Sequence, residues 1–287
     1  MARTLSVGPD RAFRLPSAAL AEARDGDTVS IKPGEYFDCA VVTASRITIE
    51  GEGPGVVLTD KTCQGKAILV TVGDGITVRD LTLTRARVPD ANGAGIRAEG
   101  AGLTVERVRF VNNENGILAA DSPESTIRVV ASEFLRNGKC EQQCAHGIYV
   151  GEIALLHVEG SSFEETRVGH HVKSRARRTE LIDNVIEDGR NGTASYLVDV
   201  PNGGALVMEG NRLEKGPRTE NRSAAIVIGA EGVSQPTPEL VIRNNGFTND
   251  SPQETIFVRN LTATPAELTG NRLVGQVVPL AGDGTVR

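Results

Sequence analysis

The chain has 287 residues, 39% of them hydrophobic, and a formal net charge of −6. It carries 32 glycines, no tryptophan and only 3% aromatics, so Val, Ile, Leu and Ala must fill its core. The acidic balance and the absence of a basic tail argue against wholesale nucleic-acid binding. No apolar run approaches the roughly 18 residues of a membrane span.

In chain order, Arg11 to Arg24 comes first. It contains Ala12, Leu15, Ala18, Ala19 and Ala23 with Pro16 in its first turn, which predicts a short amphipathic helix. Asp25-Gly26-Asp27-Thr28-Val29-Ser30-Ile31 then turns into a strand, followed by Lys32-Pro33-Gly34-Glu35-Tyr36. Cys39 and Cys63 lie 24 residues apart, and Cys140 and Cys144 fall in one loop. That spacing allows two disulfides or four free structural thiols.

From Val78 onward, apolar residues recur in pairs five apart. They are Val78/Leu83, Val105/Phe110, Val129/Phe134, Val158/Phe163, Leu181/Ile186, Met208/Leu213, Ile242/Phe247 and Leu268/Leu273. The second members are spaced 27, 24, 29, 23, 27, 34 and 26 residues apart. Inside each unit the pattern alternates, as in Ile76-Thr77-Val78 and Leu103-Thr104-Val105, so the repeat is built of short strands. The gap holds corner residues such as Asp183-Asn184, Gly210-Asn211, Asn244-Asn245 and Gly270-Asn271, which tolerate left-handed backbone. The fold class expected is all-β: one right-handed parallel β-helix over residues 1–287, of about eight to ten coils, capped by the 11–24 helix. Phe110, Phe134 and Phe163 should stack inside. A leucine-rich repeat would need regular leucines and a helical side to each unit, and neither is present.

A second strand per coil follows: Gly95-Ile96-Arg97-Ala98, Gly116-Ile117-Leu118-Ala119, Gly147-Ile148-Tyr149-Val150, Val172-Lys173-Ser174, Val198-Asp199-Val200, Ile226-Val227-Ile228 and Ile256-Phe257-Val258. The middle residue of each triplet should face outward. Read down the coils, that ladder is Arg97, Leu118, Tyr149, Lys173, Asp199, Val227, Phe257. Its polar middle is the candidate site. His146 and His170 align on neighbouring coils beside it, Tyr196 falls near the same column, and His171, Arg175, Arg177 and Arg178 follow at once. Local positive charge on an acidic protein suits a carboxylated substrate. The simpler readings are a surface Lys–Asp cross-strand pair, a His146 that only bonds a turn, a Tyr149 that only packs, and a solvated arginine turn. Cys140, Cys144 and His146 make a poor metal set, because no second cysteine pair accompanies them.

The opening, with its alanine-rich helix, Gly-Asp-Thr strand and Pro-Gly-x-Tyr turn, resembles that of many pectate-lyase-like right-handed parallel β-helix proteins. Together with the repeat, the resemblance covers nearly the whole chain and implies fold more than chemistry. Met1-Ala-Arg-Thr-Leu-Ser has no apolar signal region, which fits a cytoplasmic protein or a mature exported one. Because this fold is commonly exported, a periplasmic or secreted location is expected.

A second resemblance is to the alginate lyase and chondroitinase B family. It is carried by Lys173-Ser174, Asn184, Gly192-Thr193, Leu197, Gly203 and Gly210-Asn211. It implies that Lys173 is the base removing the proton α to a uronate carboxylate. The family's catalytic arginine belongs one coil later, where this chain reads Val198-Asp199-Val200-Pro201-Asn202. The acidic cluster that would hold the family's calcium is not evident, so no cofactor or metal is assigned. The signatures of pectin methylesterases and alginate epimerases are absent, and Asp183, Asp188 and Asp199 are too dispersed for glycoside hydrolysis.

The function expected is therefore a lyase or epimerase acting on an acidic, uronate-containing polysaccharide by abstraction of the C5 proton. Lys173, Tyr149, His146 and His170 are the candidate catalytic residues. Arg97, Arg175, Asp199 and His171 are candidates for substrate binding. The competing classes are a noncatalytic acidic-glycan binder and a structural surface solenoid. The sequence leaves the sugar, the linkage and the assembly state open.

Overall fold

Alternating apolar residues on short strands, most of three to five residues, can bury only one face each, so they gain stability by stacking coil on coil. The computed structural model describes residues 2–141 and 143–287. Successive coils pair in parallel and build three long sheets. Sheet A has twelve strands, from Thr4–Val7 to Gly284–Val286. Sheet B has ten, from Gly34–Tyr36 to Arg272–Val274, and sheet C ten, from Ala40–Val42 to Val277–Ala281. The chain is a right-handed parallel β-helix of about ten turns with one continuous apolar core. No helix among the described residues is long and apolar enough to cross a membrane.

The A-to-B corner is set by backbone conformation. Asp80, Arg107, Ala131, Gly160, Asp183, Gly210, Asn244 and Gly270 all take positive φ there. From Ser161 onward the next residue turns inward and links neighbouring coils. Ser161 N–H donates to Asn184 Oδ1, Asn184 N–H to Asn211 Oδ1, Asn211 N–H to Asn245 Oδ1, and Asn245 N–H to Asn271 Oδ1. The amide nitrogens of Asn184, Asn211 and Asn245 donate back to Val158 O, Leu181 O and Met208 O. This asparagine ladder satisfies backbone groups that the corner takes out of the sheets.

Phe110, Phe134 and Phe163 stack inside, with ring centroids 4.6 and 4.5 Å apart. Facing glycines on sheet C make the room. A Cβ on Gly95 would meet Phe110 at 2.7 Å, and one on Gly116 would meet Phe134 at 2.6 Å. Rings on one sheet thus fill volume that hydrogens leave on the other.

Two expectations need correction. The helix is Pro16–Glu22, not 11–24. Phe13 is spent pairing with Val7 and bonding Gly8, Pro16 supplies the first turn, and Ala23 is already extended. The helix still packs against the strands Thr4–Val7, Thr28–Ile31 and Ala40–Val42 of the opening coil. In the penultimate strand of sheet C, Val227 pairs with Arg259, not Phe257. Phe257 points inward and stacks on Phe247 at 5.1 Å, because the pairing of Ala224 with Ile256 and of Ile226 with Val258 sets it opposite the small, buried Ala225. Cys39 and Cys63, with Cα atoms 5.5 Å apart, form a disulfide, as do Cys140 and Cys144.

Candidate functional site

Sheet C places the polar ladder. Arg97 pairs with Leu118, Leu118 with Tyr149, Tyr149 with Lys173, and Lys173 with Asp199. Each outward residue sits between inward, buried neighbours: Ile148 and Val150, Val172 and Ser174, Val198 and Val200. Ser174 of the Lys-Ser pair therefore lies inside, where its hydroxyl bonds Thr179 Oγ1 at 2.7 Å.

Outward here does not mean exposed. Lys173 is 8% exposed and Asp199 2%, so this is no surface cross-strand pair. Lys173 Nζ lies 3.2 Å from Asp199 Oδ2 and 2.6 Å from Glu231 Oε1. Arg175 Nη2 reaches Glu231 Oε2 at 2.5 Å, Arg175 Nε donates to Tyr149 OH at 2.9 Å, and Nη1 donates to Asn202 Oδ1. The hydroxyl oxygen of Tyr149 is thus an acceptor for Arg175, and its own proton remains free to donate. Burial pushes the Asp199 carboxyl up, against the pull of Lys173. Asp199 Oδ1 is buried without a hydrogen-bond partner among the described residues, which costs the charged form more than the neutral one.

The histidines form a second column. His146, His170 and Tyr196 stack on three successive coils, with centroids 4.9 and 5.2 Å apart. His170 N–H donates to His146 Nδ1, and Tyr196 N–H donates to His170 Nδ1, each at 3.0 Å. A ring nitrogen that accepts a backbone N–H carries no proton, so the neutral imidazoles hold theirs on Nε2. Burial, with Lys173 adding to it, lowers His170 to about 3. Burial likewise takes His146 well below its ordinary value, helped by His170 and Lys173. Both are neutral Nε2–H donors at ordinary pH. His170 Nε2 lies 3.4 Å from Asp199 Oδ2.

Some expected members are elsewhere. His171 points into the wall, fully buried between Thr166 Oγ1 at 2.8 Å and Asp188 Oδ1 at 3.0 Å, and cannot touch substrate. The reason is register: His171 precedes the first inward residue of its strand and pairs with the Gly147 column, which lies against the core. Arg97 sits three strands from Lys173, about 14 Å away at the spacing of paired strands. It lies beside Glu99 at 3.5 Å, in a 290 Å³ depression with Lys66 and Leu118. Arg177 turns to Pro123 O, and Arg178 to Glu180 and Glu239 on sheet A's side, so only Arg175 of the three faces the site.

Sequence reasoning missed Glu231, Asn202 and Gln235, whose amide donates to Arg175 O at 2.5 Å. They come from the two irregular connections after Val198–Val200 and Ala224–Ile228 and share no periodicity with the ladder. The one available signal was an acidic residue in the glycine-flanked turn Gly229-Ala230-Glu231-Gly232. The two carboxylates near Lys173, Asp199 and Glu231, are each turned to a cationic side chain. That donor set is an ion-pair cluster and does not fit a calcium cage, which needs six to eight oxygens. Among the described residues no group of three or more His, Cys, Asp or Glu is placed to hold a metal ion.

Neither a family model nor a curated protein matches the chain. Solved structures do. An alginate lyase from Paenibacillus sp. str. FPU-7 aligns over 99% of both chains, with 16% identity and a TM-score of 0.52. What it shares with this chain is the parallel β-helix fold. A second match is the tailspike protein gp49 of Acinetobacter baumannii bacteriophage Fri1, a capsular polysaccharide depolymerase, at 11% identity and a TM-score of 0.55. That alignment covers 97% of this chain and 62% of the tailspike. At these identities what is shared is the β-helix; the chemistry rests on the residues of sheet C.

Proposed function

We propose that the protein acts on an acidic, uronate-containing glycan laid across the coils of sheet C, by abstraction of the C5 proton. The observation that carries this reading is the convergence of Lys173, Arg175 and Tyr149, with the Nε2–H groups of His146 and His170 beside them, on one face of three successive strands. Arg175 pairs the substrate carboxylate and draws charge from C5. The Lys173 amine takes the C5 proton. Asp199 Oδ2, 3.2 Å from the lysine nitrogen, orients the amine. The electron pair of the broken C5–H bond passes into the enolate of the carboxylate, which the two imidazole N–H groups and Arg175 stabilise. In a lyase that pair then forms the C4–C5 double bond while the C4–O bond breaks, and the Tyr149 hydroxyl protonates the leaving oxygen. In an epimerase C5 is reprotonated from the other face.

Both disulfides suit an oxidising, periplasmic or extracellular compartment, where such glycans are met. One observation favours a noncatalytic binder instead: Lys173 spends its donors on two carboxylates. Incubation with a panel of polyuronates, followed at the ultraviolet absorbance of unsaturated uronate ends, tests for the lyase. A lyase raises the absorbance on its substrate. An epimerase or a binder leaves it flat on all of them.

A further inference from the structure

We propose that the gap between Lys173 Nζ and the Arg175 guanidinium is a seat for the substrate's carboxylate, and that Glu231 fills it in the free protein as an internal stand-in. Glu231 places one carboxylate oxygen 2.6 Å from Lys173 Nζ and the other 2.5 Å from Arg175 Nη2. One carboxylate bridging two cations, an oxygen to each, is how a uronate would be held there on binding, before Lys173 gives up its proton to act as the base. The inference rests on the proposed reading of sheet C as the surface for an acidic glycan.

The two cations are held without Glu231. Lys173 is tied to Asp199 across the strands. Arg175 is held by the Tyr149 hydroxyl and Asn202 Oδ1, and its backbone carbonyl by Gln235. The stand-in is differently placed. Its side chain is 45% exposed, against 11% for Lys173 and 22% for Arg175. It rides a turn with Gly229 at φ +84° and Gly232 at φ +92°, and its own N–H is anchored to Pro201 O at 2.9 Å. With the backbone anchored, a rotation of the side chain alone clears the seat. Burial pushes the Glu231 carboxyl up, but hydrogen bonds from Lys173 and Arg175 outweigh it and hold the group ionised.

The arrangement sets specificity. A uronate replaces Glu231 charge for charge. A neutral sugar offers nothing to the two cations and leaves Glu231 in place, so it meets a filled seat. Glu231 therefore lowers affinity for every ligand that needs the seat and rejects ligands without a carboxylate.

The test is calorimetric binding of hexagalacturonate and hexamannuronate, with the fully methyl-esterified galacturonate hexamer as the uncharged control. Glu231→Gln and Glu231→Ala should tighten binding of at least one hexauronate by about three- to tenfold, the reach of a partly exposed ion pair. Binding of the ester should not change, and Arg175→Gln added to Glu231→Ala should remove the gain. The proposal is overturned if the Glu231 variants bind no hexauronate more tightly, if they tighten the ester equally, or if no hexauronate binds any form. Absorbance of the same samples reports on catalysis separately: tightened binding with flat absorbance keeps the seat and removes the lyase.

Discussion

His170 accepts the backbone N–H of Tyr196 on Nδ1 at 3.0 Å, one coil down, and this contact decides what the imidazole can do. It fixes the proton on Nε2, toward Asp199, and makes the ring a neutral donor. Nitrogen-15 spectra should show His170 as the Nε2–H tautomer from pH 9 down to about 4, since burial lowers its titration to about 3. Titration near the ordinary value of 6.5 would contradict the assignment. Stability should follow with a definite sign. The unfolded chain binds protons at these histidines from 6.5 downward while the fold does not, so stability falls as pH drops from 6.5 toward 3. His170→Gln should flatten that part of the curve.

Lys173 and Asp199 form a largely buried pair, which gives the lysine a structural role beside its proposed one. Lys173→Ala should lower stability by about 2–4 kcal/mol, because it leaves Asp199 buried without its cation. The double variant Lys173→Met with Asp199→Asn should recover most of that loss while remaining inactive. Equal stabilities for Lys173→Ala and the wild type in urea titrations would show the pair to be exposed in solution.

The asparagine ladder gives a graded expectation. Asn211 bonds the coils on either side and is 1% exposed, so Asn211→Ala should cost about 2–4 kcal/mol. Asn271, at the last rung and less buried, should cost clearly less in the same alanine series. Equal costs in thermal unfolding would mean that the ladder does not act through burial of its amides.

At Gly116 an added Cβ meets Gly147 O at 2.5 Å and Phe134 at 2.6 Å. Gly116→Ala should therefore destabilise by more than about 2 kcal/mol, as overpacking does. Gly160, where a Cβ meets nothing, is the control for crowding, and its cost should reflect positive φ alone. A milder effect at Gly116 than at Gly160 would refute the packing account.

Much of this was legible in the residues. The five-residue apolar pairing gave the coils, the Asn and Gly corners, the phenylalanine stack and the register that aligns Tyr149, Lys173 and Asp199, because parallel in-register stacking repeats one local pattern. Four things were not legible. The inward turn of His171 depends on where its strand begins, and two adjacent histidines do not reveal which of them faces the core. The burial of Lys173 comes from irregular connections whose path has no period. Glu231 reaches Lys173 across 58 residues, and a loop carboxylate has no repeat to betray it. The inward turn of Phe257 reflects a two-residue shift in the pairing of its strand, just after the longest interval of 34 residues between corner markers, where equal spacing stops being a guide.

The central claim is that sheet C removes the C5 proton of a uronate, and solvent exchange tests it most directly. Polyuronates of several kinds are incubated with the protein in D2O and the C5 position is followed by NMR, which registers elimination and epimerisation alike. The account expects the C5 proton signal of one polyuronate to disappear, through deuteration or loss of the C5–H bond, and to persist with Lys173→Met. If a polyuronate binds and every C5 proton is retained, with wild type and variant indistinguishable, the protein is a binder and the claim is wrong.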